Sequence, residues 1–319
     1  MAMVYENGTA TDRYNLVDKI RIFLLANGWT INGWSGVSGG GLHVQKGAGK
    51  YFNIFLPSQD VNQDERLWLQ LGLSTGYQAP VGGAQPGETH HTTDKRCSVN
   101  FGIALYQEYY FFLDATADTF YCVVEETLGV YRHFSFGSYN TIGQAAVTGG
   151  GCFVSGCYTH YLSAAAGGSF NGFFANAYNG TSNLCQYPGC ASFERGSGRE
   201  VLFNGIDGAK DEKYIGDNPV ELSTFSMSWS QDGAQNAGLH FGVNKFNNRM
   251  SMLPINIWVS RPSYLWTLAG QFPSVRLVNL KNVAPEQLID GDWMCFPVFR
   301  KGDVGDYNTG IVGLAYKKV

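Results

Sequence analysis

Charged side chains are scarce in this chain of 319 residues, at 15% of the total, whereas soluble domains average about 25%. The 26 acidic and 22 basic residues nearly balance, and the net charge is −4. Because a nucleic-acid-binding surface needs an excess of basic residues, no direct contact with nucleic acid is expected. A surface with so few charges favours contacts with other protein subunits.

Long apolar runs are also missing, since no stretch approaches the roughly 20 apolar residues of a membrane span. The N-terminal residues 1–8 have neither the basic region nor the apolar run of a secretory signal. The sequence therefore predicts a protein with no membrane span that is made inside a cell.

Sequence signals for catalysis are weak. The chain has no phosphate-binding Gly-rich loop ending in Lys-Ser or Lys-Thr. Asp290 and Asp292 flank Gly291, and this pattern favours a turn before the strand that starts at Trp293 over a pair of catalytic carboxylates. His90 and His91 lie in a polar stretch that indicates a solvated loop. We predict no catalytic residue, no cofactor and no enzymatic activity.

The residues that are abundant indicate strands. The chain has 41 glycines, 18 tyrosines and 21 phenylalanines; aromatic residues suit a pleated surface, and glycine supplies the positive φ of tight turns. Short apolar runs end at turn residues, and the linkers are too short for the crossovers that parallel strands need. We predict a mainly β fold of the α+β class, an antiparallel β-sandwich-like body with an N-terminal helix and a loop-rich insertion.

The predicted helix covers residues 12–27. Four apolar residues recur at helical spacing on one face: Leu16, Ile20, Phe23 and Leu24. Thr9 and Asp12 offer a capping box, and Gly28 suits the position after the helix, where a left-handed residue is needed.

Three regions follow from the pattern of apolar runs. Residues 1–148 hold the helix and the antiparallel β body, in which 109–113 and 120–126 pair as a hairpin. Residues 149–237 are rich in Gly, Ser, Asn and Ala, and form the predicted insertion. Residues 238–319 complete the body, and their last part, Trp293 to Tyr316, is predicted to form a core β-hairpin.

Two Cys-x₄-Cys pairs are the main candidates for a metal site: Cys152 with Cys157, and Cys185 with Cys190. Two turns could bring four thiolates together around zinc, although this spacing is at the long end of the usual range. The alternatives are a disulfide within or between the pairs and small buried thiols, and the last of these is preferred. His90 and His91, with Glu88 and Asp94 nearby, could also bind a divalent metal, although a solvated loop is preferred there.

Several segments have the character of a known family: residues 16–25 with Gly28-Trp29, residues 130–137, residues 270–280, residues 291–298 and residues 310–317. In these segments the chain resembles virion structural proteins of tailed bacteriophages. The resemblance implies a non-enzymatic subunit of the tail, baseplate or neck. It also implies location in the virion after assembly in the host cytoplasm, with copies of itself and other virion proteins as partners. The alternatives are a capsid decoration protein, a receptor- or glycan-binding protein that contacts a host-surface glycan, and a polysaccharide-degrading enzyme of the particle.

Overall fold

The structure is a computed structural model that describes residues 2–57, 68–86, 97–101, 108–141, 152–158, 170–171, 191–195, 198–204, 210–214, 247, 249–261, 265–280, 282–297 and 312–319. Its elements, in chain order, are β1 (Met3–Gly8), α1 (Arg13–Ala26), β2 (Thr30–Ser35), β3 (Gly41–Gln45), β4 (Tyr51–Phe55), β5 (Trp68–Ser74), β6 (Cys97–Asn100), β7 (Glu108–Asp114), β8 (Thr119–Thr127), β9 (Val130–Ser138), β10 (Asn140–Thr141), β11 (Cys152–Ser155), β12 (Cys157–Tyr158), β13 (Phe170–Asn171), β14 (Ala191–Arg195), β15 (Gly198–Asn204), β16 (Lys210–Tyr214), β17 (Leu253–Arg261), β18 (Leu265–Asn279), β19 (Leu288–Ile289), β20 (Trp293–Pro297) and β21 (Val312–Lys317).

Helix α1 is capped at both ends by its own sequence. The Asp12 side chain accepts a hydrogen bond from the backbone N–H of Asn15 at 2.8 Å, so Asp12 is itself the N-cap. The predicted capping box with Thr9 at the cap is wrong, because the helix starts later than that pairing requires. At the other end Gly28 has φ +77°, and the N–H of Trp29 donates to the carbonyl of Leu24 at 3.0 Å, which is a Schellman ending.

The apolar face of α1 is buried as predicted. All four residues of the predicted stripe lie in the hydrophobic core: Leu16, Ile20, Phe23 and Leu24. Phe23 contacts Phe111 and Phe120 of the neighbouring sheet, with ring centroids 5.4 and 6.0 Å apart. The helix therefore packs on the β body through the residues that its periodicity selects.

The strands form a layered, antiparallel body, and every pairing between described strands is antiparallel. The N-terminal sheet has the order β2-β3-β4-β5-β6, so its strands follow one another along the chain. The central sheet has the order β1-β7-β8-β9-β11. The mainly β fold with an N-terminal helix is confirmed.

The central sheet is covered on both faces. One face carries Phe111, Phe120 and Phe136, which join α1 and the inner face of the N-terminal sheet in one core. The opposite face carries Tyr110 and Tyr121, and packs on the C-terminal sheet. Strand β9 is buried along its whole length, because side chains alternate between two covered faces.

The C-terminal sheet has the order β10-β18-β21-β20-β19. Strand β17 also belongs to this sheet and pairs with β18. The last strand of the chain, β21, therefore lies inside the sheet, where it bonds to β18 and to β20. The predicted pairing of the Trp293 strand with the strand that ends near Tyr316 is confirmed. The turn predicted at Asp290-Gly291-Asp292 also forms, between β19 and β20.

Residues 149–237 contain six described strands. Strand β11 pairs with β9 and is a buried edge strand of the central sheet, so Cys152 to Ser155 belong to the body. Strands β12 and β13 form a hairpin, and β14, β15 and β16 form a small sheet. The division of the chain at 149 and 237 stays a prediction.

Candidate functional site

Polar side chains concentrate in two places of this body: the interface between the central and C-terminal sheets, and the outer face of the N-terminal sheet. At the interface, His133 of β9 is completely buried. Its Nε2 lies 2.8 Å from the carbonyl oxygen of Pro297, and its Nδ1 lies 2.8 Å from the hydroxyl of Tyr316. The histidine thus joins β9 to both β20 and β21.

The partners of His133 define its protonation state. A carbonyl oxygen can only accept, so Nε2 carries the proton, and Nδ1 accepts from the Tyr316 hydroxyl. Burial lowers the pKa of His133 from 6.5 to about 4. Both ring nitrogens are hydrogen-bonded inside the core, so the neutral imidazole links the two sheets.

Asp114 makes a second polar connection between the sheets. Its Oδ1 accepts from the backbone N–H groups of Thr116 and Ala117, each at 3.0 Å, which shapes the β7–β8 turn. Its Oδ2 accepts from the hydroxyl of Ser274 in β18 at 2.5 Å. The carboxylate is buried and accepts these three hydrogen bonds, which tie the β7–β8 turn to β18.

Tyrosines and glutamates meet at the end of the central sheet where β7 begins and β8 ends. The Tyr110 hydroxyl donates to Glu108 at 2.9 Å, and the Tyr131 hydroxyl donates to Glu286 at 2.9 Å. Burial is the larger cause and the hydrogen bonds to these carboxylates the smaller one, and together they raise the pKa of Tyr110 and of Tyr131 far above 10. Both phenols therefore stay protonated and serve as hydrogen-bond donors.

On the outer face of the N-terminal sheet, five side chains form what we call the polar–aromatic patch: Asn32, His43, Gln45, Tyr51 and Tyr77. The Asn32 Nδ2 group lies 3.2 Å from His43 Nδ1 and 3.4 Å from Gln45 Oε1. The rings of Tyr77 and Tyr51 lie 4.9 and 5.8 Å from the imidazole. The five residues come from β2, β3, β4 and the loop after β5, so only the fold brings them together.

His43 lies at the base of this patch and is completely buried. Its Nε2 lies 2.9 Å from the carbonyl oxygen of Gly76, which fixes the Nε2–H form as it does for His133. Burial lowers the pKa of His43 from 6.5 to about 4. In the neighbouring strand, the buried Asn53 has an Nδ2 group that no acceptor from the described residues reaches. The patch is therefore uncharged at neutral pH and has one unmet donor beneath it.

Some large apolar side chains are exposed. Leu128, at the tip of the β8–β9 hairpin, is 90% exposed, and Val37 in the β2–β3 turn is 63% exposed. On α1, Ile22 and Leu25 are 49% and 54% exposed and lie three residues apart, on the side that faces away from the core. These residues add nothing to the core of a single chain.

The cysteine candidates are only partly described. Cys152 of β11 is buried in the hydrophobic core, and burial raises the pKa of its thiol to about 11. Cys157 lies in β12, while Cys185 and Cys190 lie outside the described residues. Within the described part of the chain, no group of three or more His, Cys, Asp or Glu side chains could hold a metal ion. The choice among zinc, disulfide and buried thiols stays a prediction for the four cysteines together.

His90 and His91 also lie outside the described residues.

One pattern that occurs in hydrolases has a clear structural explanation: Gly36-Val37-Ser38-Gly39-Gly40 fits Gly-x-Ser-x-Gly. This segment is the turn between β2 and β3, whereas a nucleophile elbow joins a strand to a helix. The Gly40 position is also tight, since a Cβ there would lie 2.3 Å from the carbonyl oxygen of Ser35, so its glycine has a steric reason.

The polar–aromatic patch was not predictable from sequence spacing. Its members are 45 residues apart at the extremes and share no motif. One feature of the sequence does indicate a polar face. In β3 the polar His43 and Gln45 alternate with the apolar Leu42 and Val44, so the two types lie on opposite faces of the strand.

No helix in the described ranges is long and apolar enough to cross a membrane. Comparison with known proteins finds no protein-family model that matches this chain and no matching curated protein.

Proposed function

We propose that the chain is a non-enzymatic structural subunit of a tailed-phage virion, part of the tail, baseplate or neck, which assembles with copies of itself and with other virion proteins. The observation that carries this proposal is Leu128, which is 90% exposed at the tip of a two-residue hairpin turn. Gly129 takes the second position of this turn, with φ +78°. The leucine side chain beside it is open to solvent, where it is available for a contact with another chain.

The outer side of α1 supports the same proposal. Ile22 and Leu25 expose about half of their surfaces on one side of the helix. Together with the low charge of the chain and its resemblance to virion structural proteins, these side chains fit a subunit that buries apolar surface on assembly. Obligate contacts of this kind bury on the order of 2,000 Å² or more.

The test compares the oligomeric mass of the wild-type chain with that of Leu128→Ser and of the double variant Ile22→Ser/Leu25→Ser, by size-exclusion chromatography with light scattering. All three residues lie outside the core, so the variants should fold. Each variant should weaken assembly by about tenfold in its dissociation constant, which corresponds to roughly 1.4 kcal/mol. Val319→Ser is the matched control, because Val319 is also exposed, at 71%, but lies outside both α1 and the β8–β9 turn.

A wild-type chain that stays monomeric at its highest soluble concentration would argue against self-assembly. The virion itself is tested by immunogold labelling of purified phage particles with antibody against this chain. Label at the tail, baseplate or neck is the expected result, label over the capsid would indicate a decoration protein, and unlabelled particles would overturn the proposal.

A further inference from the structure

We propose that the polar–aromatic patch on the outer face of the N-terminal sheet binds a neutral sugar residue of a glycan. The inference goes beyond assembly and does not depend on it. The sheet is a rigid support, since its inner face is packed in the core through Leu42, Val44, Phe52 and Ile54. The patch lies on the opposite face of the same strands.

The two amides of the patch are held in fixed orientations. The proton on His43 Nε2 makes Nδ1 an acceptor, so the nitrogen of the Asn32 amide must face it. The second N–H of Asn32 is directed to Gln45 Oε1 at 3.4 Å, and Gln45 Nε2 donates to the Gly47 carbonyl at 2.9 Å. Both side chains are thus oriented before any ligand arrives, which lowers the entropy cost of binding.

These bonds leave complementary groups for a ligand. Asn32 Oδ1 can accept a hydrogen bond, and the second N–H of Gln45 can donate one, because neither is used by another group in the described part of the chain. The hydroxyls of Tyr51 and Tyr77 can do either. Sugar hydroxyl groups both donate and accept, so this mixture of neutral donors and acceptors suits them.

Tyr77 supplies the apolar surface. Its side chain is 37% exposed and is held in place by Gly33, where an added Cβ would lie only 2.5 Å from the Tyr77 hydroxyl oxygen. Its ring also contacts the His43 imidazole at 4.9 Å. A fixed, partly exposed aromatic ring beside a few polar groups is the usual composition of a small-ligand site, and the C–H face of a sugar ring can stack on it.

Charge selects a neutral ligand over an anionic one. All five residues of the patch are uncharged, and the nearby cations are used elsewhere. Lys46 donates to the carbonyls of Asn27 and Gly28 at 3.2 and 3.1 Å, and Lys50 pairs with Asp118 at 3.1 Å. A phosphate or carboxylate group would find neutral donors but no unpaired cation among the described residues here, so its charge would not be balanced, and we infer a neutral hexose or N-acetylhexosamine unit.

The experiment uses the full chain labelled with ¹³C at tyrosine rings, titrated with glucose, galactose and N-acetylglucosamine, and a glycan array probed with the same protein. We expect shifts of the Tyr77 and Tyr51 signals with at least one sugar. Tyr77→Ala should lower the affinity about tenfold by removing the stacking surface, and Gln45→Ala should lower it less. Tyr77→Phe keeps the ring and should retain most of the binding.

Leu128→Ser is the matched control, since it lies outside the patch and should bind sugar like the wild type even where assembly is impaired. Thermal melting of each variant shows whether the fold is intact. Three results would each overturn the inference: no sugar shifts the tyrosine signals and the array stays blank, a folded Tyr77→Ala binds as tightly as the wild type, or binding is confined to anionic glycans and disappears with salt. The patch could instead contact a loop of a second copy of the chain. In that case the tyrosine signals would shift with protein concentration in the absence of sugar, and shifts of this kind alone would also overturn the inference.

Discussion

Loss of stability in mild acid should be a property of this fold, and His133 should be one of its main causes. The imidazole is completely buried and neutral, with a pKa of about 4 against 6.5 in an unfolded chain. The unfolded chain therefore binds more protons below pH 6.5, and folding loses stability as the pH falls from 6.5 towards 4. Above 6.5 the contribution of this residue is fully present.

The magnitude follows from the two pKa values. The full difference between the folded and unfolded pKa values of His133 corresponds to about 3 kcal/mol of stability, at 1.36 kcal/mol per pKa unit. Between about pH 7.5 and pH 5 the loss should be about 2 kcal/mol for His133. His43, whose pKa is also lowered to about 4 by burial, should contribute a similar amount. Most carboxylates remain ionised at pH 5, so this interval isolates the histidines.

The assay is urea unfolding at both pH values for the wild-type chain, His133→Phe and His43→Phe. His133→Phe leaves the Tyr316 hydroxyl and the Pro297 carbonyl without this partner, and should cost about 2 to 4 kcal/mol at neutral pH. Between the two pH values, however, the free energy of unfolding of His133→Phe should fall by about 2 kcal/mol less than that of the wild type. His43→Phe should show the same reduction.

An unchanged pH dependence in His133→Phe would refute the reasoning. If that variant does not fold, the imidazole nitrogen shifts of the wild type provide the second measurement. His133 should retain the shifts of the Nε2–H form down to pH 5. Signals of a protonated ring at that pH would show that burial does not depress the pKa.

Leu24→Asp should abolish folding or cost more than about 4 kcal/mol, because it places an unpaired charge at a fully buried position, and Leu25→Asp should cost little because Leu25 is 54% exposed. Denaturant melts of the two neighbours test this, and equal stabilities would show that the helix packs by another face. Truncation after Arg300 should give insoluble protein, because it removes β21 from between β18 and β20 together with Tyr316. Deleting Val319 alone should be harmless, and a soluble truncated chain with an unchanged Tm would contradict the central position of β21.

Local signals were enough to predict much of the secondary structure. The spacing of Leu16, Ile20, Phe23 and Leu24 predicts a helix with one buried face, and Gly28 predicts its end; the structure has both. These signals work because they depend on neighbours within about one helical turn. The N-cap was predicted less well, since Thr9 and Asp12 each suit a cap and only the start of the helix decides between them.

The arrangement of the sheets needed the tertiary structure. The apolar residues on both faces of Trp293 to Pro297 predict a covered strand, and its pairing with β21 is confirmed. The sequence does not show that β21 also pairs with β18, or that β9 is covered on both faces, because such contacts join residues far apart in the chain. A strand that is apolar on both faces could pair with several other strands, and which pairing forms depends on how whole sheets pack against each other.

Composition and short-range periodicity were enough to predict the fold class, the helix and the turn at Asp290-Gly291-Asp292, because they control local conformation. Which polar residues lie in contact depends on the three-dimensional packing of the sheets. His133 reaches Tyr316 across 183 positions of the chain, and Asn32, His43 and Tyr77 come together through the register of the N-terminal sheet. A local pattern cannot encode such meetings, since each depends on the pairing of strands and on the packing of one sheet against another.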